Sequence, residues 1–282
     1  MHYVGRFAPS PTGPLHFGSL VAALASYLDA KSHAGTWLLR IEDVDVPRCQ
    51  PDSPQQIFDA LSSHSLLWDG EAQYQSNHDA RYSSWLNKIF EQQRAYYCQC
   101  TRRKIKDAGG THNSNCRFEG ATSGAIRLIN DLPIRQFRDR FKGNVSITDP
   151  HALEDTVLKR KDGLYAYNMA VVADDICQGV NHIVRGEDLL DTTSAHLTLY
   201  NIFNVQPPVY AHIPIALDSH GKKLSKQNHA SPISKHRAST NLIEASAFLG
   251  LSTSNMQPSD EPAIIVHCAI EQWRRKLDLL GE

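Results

Sequence analysis

The spacing of hydrophobic positions changes several times along the chain, and each change marks an element. Tyr3 to Phe7 is a short apolar run read as a strand. Ala8-Pro9-Ser10-Pro11-Thr12-Gly13-Pro14 follows, a Pro/Gly loop that can continue neither helix nor strand. From Gly18 to Ala30, Leu20, Val21, Leu24, Tyr27 and Leu28 recur at helical spacing, and Gly35 ends the run. Thr36 to Ile41 is rich in β-formers and runs into the acidic Glu42-Asp43. Strand, helix and strand over this length predict a βαβ unit, hence a parallel sheet with a right-handed crossover.

Helical periodicity returns over 54–67 and 78–93. The stretch from Tyr96 to about Asp155 reads differently, with short β runs, basic loops and clustered cysteines, and is taken as an insertion. Segments 164–174 and 180–188, then a helix over 192–203 and a strand over 207–212, resume the α/β alternation. From about His236 the pattern is helical. The expected organisation is an α/β domain over 1–95 and 156–226, an insertion over 96–155 and a helical region over 227–282.

Composition narrows the function classes. No apolar run approaches the 18 or so residues of a membrane-spanning helix. Met1 leads straight into a strand-like run without a leader pattern, so a soluble cytoplasmic protein is expected. Lys and Arg total 29 against 30 Asp and Glu, a net charge of −1, which argues against a globally basic nucleic-acid binder. Positive charge is instead bunched, at Arg102-Arg103-Lys104-Ile105-Lys106, Arg135 to Lys142, Lys159-Arg160-Lys161, Lys222 to Lys226 and Arg274-Arg275-Lys276.

Three segments carry chemistry. At Pro14-Leu15-His16-Phe17-Gly18-Ser19 a loop enters a helix, whose free N–H groups and dipole suit a phosphate, with an imidazole able to donate to a phosphoryl oxygen. Gly221-Lys222-Lys223-Leu224-Ser225-Lys226 is a cationic loop that can close over a polyphosphate, or a solvated basic turn. Of six cysteines, Cys98, Cys100 and Cys116 cluster. Cys98 and Cys100 are expected to face one way along a strand, with His112 and Cys116 four apart on a turn or helix. Together they make a closed Cys-Cys-His-Cys set suited to one structural zinc, the alternative being buried free thiols beside a surface histidine.

These segments resemble the motifs of the class I glutamyl-tRNA synthetases. Arg6 to Gly13 with Leu15-His16-Phe17-Gly18 looks like the first, "HIGH" motif, Leu39 to Asp45 like the second-strand stretch, and Lys223-Leu224-Ser225-Lys226-Gln227 like the "KMSKS" loop. The fourth position of the first motif is Ser19 rather than His, and His112 stands where the family usually has Tyr. About 55 residues follow Lys226, too few for an anticodon-binding domain, so the chain is similar to the truncated glutamyl-Q tRNA(Asp) synthetase branch.

The resemblance implies a Rossmann-like catalytic domain with a zinc-binding insertion and a short C-terminal helical, stem-contact-like region. It implies activation of L-glutamate with ATP and Mg²⁺, and transfer to the queuosine base in the anticodon of tRNA(Asp), by a monomer. Carried over residue by residue, His16, Gly18, Lys223 and Lys226 are catalytic, and His16, Gly18, Ser19 and Lys226 bind ATP. Arg6, Phe7, Ala8, Pro9, Ser10, Glu42, Tyr167 and Arg185 bind glutamate, arginines suiting its carboxylates and an acid its ammonium. Two alternatives stand beside this reading: an ordinary glutamyl-tRNA synthetase of minimal length, and a non-enzymatic, zinc-stabilised tRNA-binding module.

Overall fold

The computed structural model describes residues 2–217 and 231–281, in two compact units. The first gathers the described parts of Met1–Tyr74, Val180–Asp188 and Tyr210–Glu282, and the second Gln75–Gly179 and Leu189–Val209. In chain order the elements begin β1 (Val4–Phe7), α1 (Phe17–Ser32), β2 (Thr36–Ile41), α2 (Ser53–Ser63), β3 (Gln73–Tyr74), α3 (Asp79–Glu91), β4 (Ala95–Cys98) and α4 (Arg102–Asp107). They continue β5 (Ala125–Leu128), β6 (Gln136–Asp139), β7 (Gly143–Ser146), α5 (Pro150–Leu153), β8 (Val157–Lys159) and α6 (Tyr167–Cys177). The last are β9 (His182–Gly186), α7 (Thr192–Ile202), β10 (Val209–Ile213), α8 (Ala238–Phe248) and α9 (Pro262–Leu280).

In the first unit β1, β2 and β3 form a parallel sheet in that order, with α1 and α2 as the intervening connections, so the expected α/β class holds. The strand starts are tied together: Thr36 N–H donates to Tyr3 O at 2.9 Å, and Asn181 N–H, just before β9, donates to Val4 O at 3.0 Å. β9 pairs with β10. Helix α1 is buried through Leu20, Val21, Ala23, Leu24, Ala25 and Leu28, the small alanines allowing close approach of its neighbours. Its buried Asp29 accepts from the Tyr3 hydroxyl and, at 3.0 Å, from Trp273 Nε1, joining β1, α1 and α9 through one carboxylate.

Helix α2 ends at Ser63, short of the Leu67 that periodicity predicts. His64 caps it, its Nδ1 2.7 Å from Ala60 O, and Ser65 adopts φ 56°. Apolar Leu66 and Leu67 extend the helical pattern beyond a backbone that has already turned.

In the second unit β4, β5 and β8 form an antiparallel sheet in the order β4-β5-β8, and β6 and β7 form a hairpin. The buried carboxylate of Asp174 on α6 accepts from Gln75 Nε2 at 2.9 Å, Arg81 Nη1 at 2.6 Å and Tyr82 OH at 2.7 Å, tying the chain before α3, and α3 itself, to α6.

Candidate active site and metal centre

Most candidate substrate residues fall in the first unit, where strands end and α1 begins. Arg6 and Phe7 close β1 and are buried. The loop Ala8 to Pro14 is pinned by backbone: Glu42 N–H donates to Pro9 O at 3.0 Å and Gln50 N–H to Pro11 O at 2.8 Å. Parallel strands thereby deliver the Arg6–Ser10 segment and Glu42 to one sheet edge, where α/β sheets bind ligands.

His16 is the N-cap of α1, in extended backbone, and its Nδ1 accepts from Ser19 N–H at 3.2 Å. Ser19 Oγ also lies 3.1 Å from His16 Nε2. The imidazole is therefore held by the first turn of the helix it caps, with Gly18 and Ser19 in that turn. Ser19, where the family motif has His, acts here as the partner of His16.

Lys223 and Lys226 lie outside the described residues. The chain that follows them is stitched to the same place: Ile233 N–H donates to Leu15 O at 3.0 Å, and Pro232 forms an antiparallel bridge with His16.

Glu42 is 8% exposed and pairs with fully buried Arg40, Nη2 to Oε1 at 3.3 Å. The sequence motifs do not single out Arg40, yet the signal for this pairing is plain. Positions i and i+2 of a strand share a face, and Arg40-Ile41-Glu42 puts opposite charges there. The two side chains are thereby buried side by side as an ion pair.

Arg185, on β9, is buried. Its Nε donates to His212 Nε2 at 3.0 Å, and its guanidinium lies over the Tyr210 ring, 5.0 Å from the centroid. Gly186 ends the same strand close to Asp188, where a Cβ would sit 2.6 Å from the mobile Oδ1 of that side chain. Tyr167 belongs to the second unit, where it opens α6 with its ring 5.7 Å from that of His196.

The second unit assembles the metal candidates. Ligand atoms of Cys98, Cys100, His112 and Cys116 all lie within 4.8 Å of one another. Cys116 Sγ is 3.4 Å from Cys98 Sγ and 3.2 Å from His112 Nε2. A tetrahedral zinc with bonds of roughly 2.0–2.3 Å separates its ligands by about 3.3–3.8 Å, so the donors fit such an ion. One detail differs from expectation. β4 ends at Cys98, so Cys100 reaches the cluster from the turn before α4 rather than by alternation along a strand.

Burial and then the neighbouring Cys98 thiol push Cys116 up to about 12, and burial likewise raises Cys100. Burial, reinforced by Arg127, pulls His112 down. A cation bound there would have to displace these thiol protons, so metal uptake should release them.

Around the cluster, buried Asp155 accepts from Tyr96 OH at 2.7 Å, Asn130 N–H at 2.9 Å and Arg117 Nε at 2.6 Å, with Arg117 Nη2 also bonded to it. Burial alone would raise the Asp155 carboxyl, but Arg117 and Tyr96 outweigh it and hold the group below its ordinary value. Gly124, at φ 132°, passes so close that a Cβ would meet Cys98 O at 2.4 Å. Among the described residues no helix is long and apolar enough to cross a membrane.

Comparison with known proteins fits this arrangement. The family described as tRNA synthetases class I (E and Q), catalytic domain, matches residues 3–119 and 111–272. A glutamyl-Q tRNA(Asp) synthetase of Vibrio vulnificus is 46% identical over 274 residues, covering 97% of this chain and 90% of that protein. One of Idiomarina loihiensis is 44% identical, covering 99% of both chains, and one of Escherichia coli is 43% identical over 96% of this chain. A glutamate tRNA ligase from Elizabethkingia meningosepticum, solved in complex with its amino acid, superposes with a TM-score of 0.77 at 26% identity. That match covers 94% of this chain, which spans 64% of the ligase's length. With pinned strand ends, a capped helix start and these matches along nearly its whole length, the chain belongs to the class I tRNA synthetases of the E and Q type, in their glutamyl-Q tRNA(Asp) synthetase branch.

Proposed function

We propose that this chain activates L-glutamate with ATP and transfers it to the queuosine base in the anticodon of tRNA(Asp). The observation that carries the reading is the stitching of Pro232 and Ile233 onto Leu15 and His16. It ties the chain following Lys226 to the α1 start, at the sheet edge to which Glu42 is pinned.

In the first half-reaction a glutamate carboxylate oxygen attacks the α-phosphorus of ATP, carried as its magnesium complex. A mixed anhydride forms, and the bond to the bridging oxygen breaks to release pyrophosphate. Negative charge spreads over the phosphoryl oxygens, so positioning and electrostatics do most of the work. His16 donates to a phosphoryl oxygen, the α1 start with Gly18 and Ser19 receives phosphate, and Lys223 and Lys226 neutralise the departing pyrophosphate. Arg6 and Arg185 bind the carboxylates, Glu42 the ammonium, and the segment Phe7-Ala8-Pro9-Ser10 and Tyr167 shape the pocket. In the second half-reaction a nucleophile of the queuosine base attacks the adenylate carbonyl and AMP leaves.

Cys98, Cys100, His112 and Cys116 hold one structural zinc, which locks the 96–155 insertion. Elemental analysis should give one zinc per chain, and well under one would remove it. Residues 1–95 and 156–226 form the catalytic domain and 227–282 a stem-contacting region, in a cytoplasmic monomer. The basic clusters supply local phosphate contacts, which a near-neutral protein still affords.

Pyrophosphate exchange into ATP tests the activation step without tRNA. Exchange should depend on glutamate and be weak with glutamine or aspartate. No exchange with any amino acid would leave the tRNA-binding module as the better account.

A further inference from the structure

We propose that His212 is a positioning residue for glutamate recognition, acting with Tyr210 through Arg185; this rests on Arg185 binding a glutamate carboxylate. Tyr210 and His212 lie two apart on β10, so both side chains leave the same face, toward Arg185 on the paired strand β9. All three are buried: Arg185 at 4%, Tyr210 at 2% and His212 at 0% exposure. Their rings are nearly parallel, at 8° and 6.0 Å between centroids. Tyr210 supports the face of the guanidinium at 5.0 Å, and His212 Nε2 takes the Nε–H at 3.0 Å.

Two consequences follow from elementary chemistry. The guanidinium is always charged and only donates, so His212 Nε2 presents its lone pair and the neutral ring carries its proton on Nδ1. Moreover, a guanidinium can grip a carboxylate side-on, through Nε and one Nη, or end-on, through both Nη atoms. With Nε committed to His212, the side-on mode is lost and the end-on mode selected. His212 and Tyr210 thereby fix the direction from which Arg185 meets a carboxylate, before substrate arrives.

The test is glutamate-dependent pyrophosphate exchange, with KM and kcat measured for R185A, H212L, H212Q, Y210L and the double variant R185A/H212L. Arg185→Ala should raise the glutamate KM. His212→Leu should raise it about tenfold, with kcat and the KM for ATP within about twofold of the parent. His212→Gln, whose amide oxygen reaches the Nε2 position, should restore most of the loss, and Tyr210→Leu should raise the glutamate KM by about threefold. The double variant should be no worse than Arg185→Ala alone.

If Arg185→Ala raises the KM but His212→Leu does not, the positioning role is overturned while Arg185 keeps its place. An unchanged KM in Arg185→Ala itself overturns the carboxylate role and the proposal with it. Should His212→Leu fail to fold, His212→Gln and His212→Asn decide. The shorter Asn cannot reach, so the proposal requires a raised KM in Asn only, and equal values overturn it.

Discussion

The sheet edge of the first unit and the Cys/His cluster of the second both bury polar side chains, but for opposite ends. At the cluster, four donors converge on one small space and Asp155 ties the surrounding chain to Tyr96, Arg117 and Asn130. Everything points inward, as in a closed structural site. At the edge, charges of both signs are set side by side: Glu42 against Arg40, and Arg185 on His212 and Tyr210. That arrangement sets charged groups side by side without closing around them, and in the function proposed above they meet the carboxylates and ammonium of glutamate. Substitutions in the cluster should therefore cost stability, and those at the edge should cost kinetics.

The largest break in that contrast should come from Asp155→Ala. Arg117 is 17% exposed and would lose a buried partner, a change worth about 3–5 kcal/mol when a buried pair is broken. Urea unfolding should show the loss. An unchanged midpoint would mean that Asp155 does not hold the cluster's surroundings together.

Lys226→Ala should act on the other side of the contrast. Adenylate formation should slow about 100-fold, roughly 2.7 kcal/mol of transition-state stabilisation, with glutamate affinity and melting temperature little changed. A normal single-turnover rate would remove Lys226 from the pyrophosphate site. Glu42→Gln keeps the shape and removes the charge, so the glutamate KM should rise about tenfold, near 1.4 kcal/mol. A fall in stability with unchanged KM would move Glu42 into the structural class.

The smallest effect concerns neither site and serves as their control. His64 is fully buried, with Nδ1 on Ala60 O at 2.7 Å and Nε2 3.0 Å from Asn241 Nδ2, contacts that require the neutral ring. Burial lowers its pKa, against the smaller opposing effect of the Ala60 carbonyl. The unfolded chain therefore takes up the proton first, and His64's contribution is present above the ordinary value of 6.5 and lost as pH falls through the folded value. Stability measured between pH 8 and 5 should decline toward acid less steeply in His64→Gln, and equal slopes would contradict the neutral assignment.

Much of this was legible in the sequence because local patterning and tertiary need agree there. The β1–α1–β2 start follows from apolar spacing, and the Cys98, Cys100, His112 and Cys116 set from ligand type and spacing. What escaped was carried by contacts between distant segments. Arg40 reads as one more strand residue until Glu42 needs a cation, and His212 as an ordinary residue of an apolar strand until β9 brings Arg185 against it. Asp155 looks like a loop acid, though it gathers groups from positions 96, 117 and 130. The turn that carries Cys100 escaped for a local reason, since strand alternation happened to give the same convergence.

Charging of tRNA(Asp) with labelled glutamate, comparing transcripts that carry queuosine with those that do not, tests the central claim most directly. Label should appear only on the queuosine-containing tRNA and stay with its anticodon fragment after cleavage. Label on the 3′ end of unmodified tRNA(Glu), with none on queuosine-containing tRNA(Asp), would contradict it.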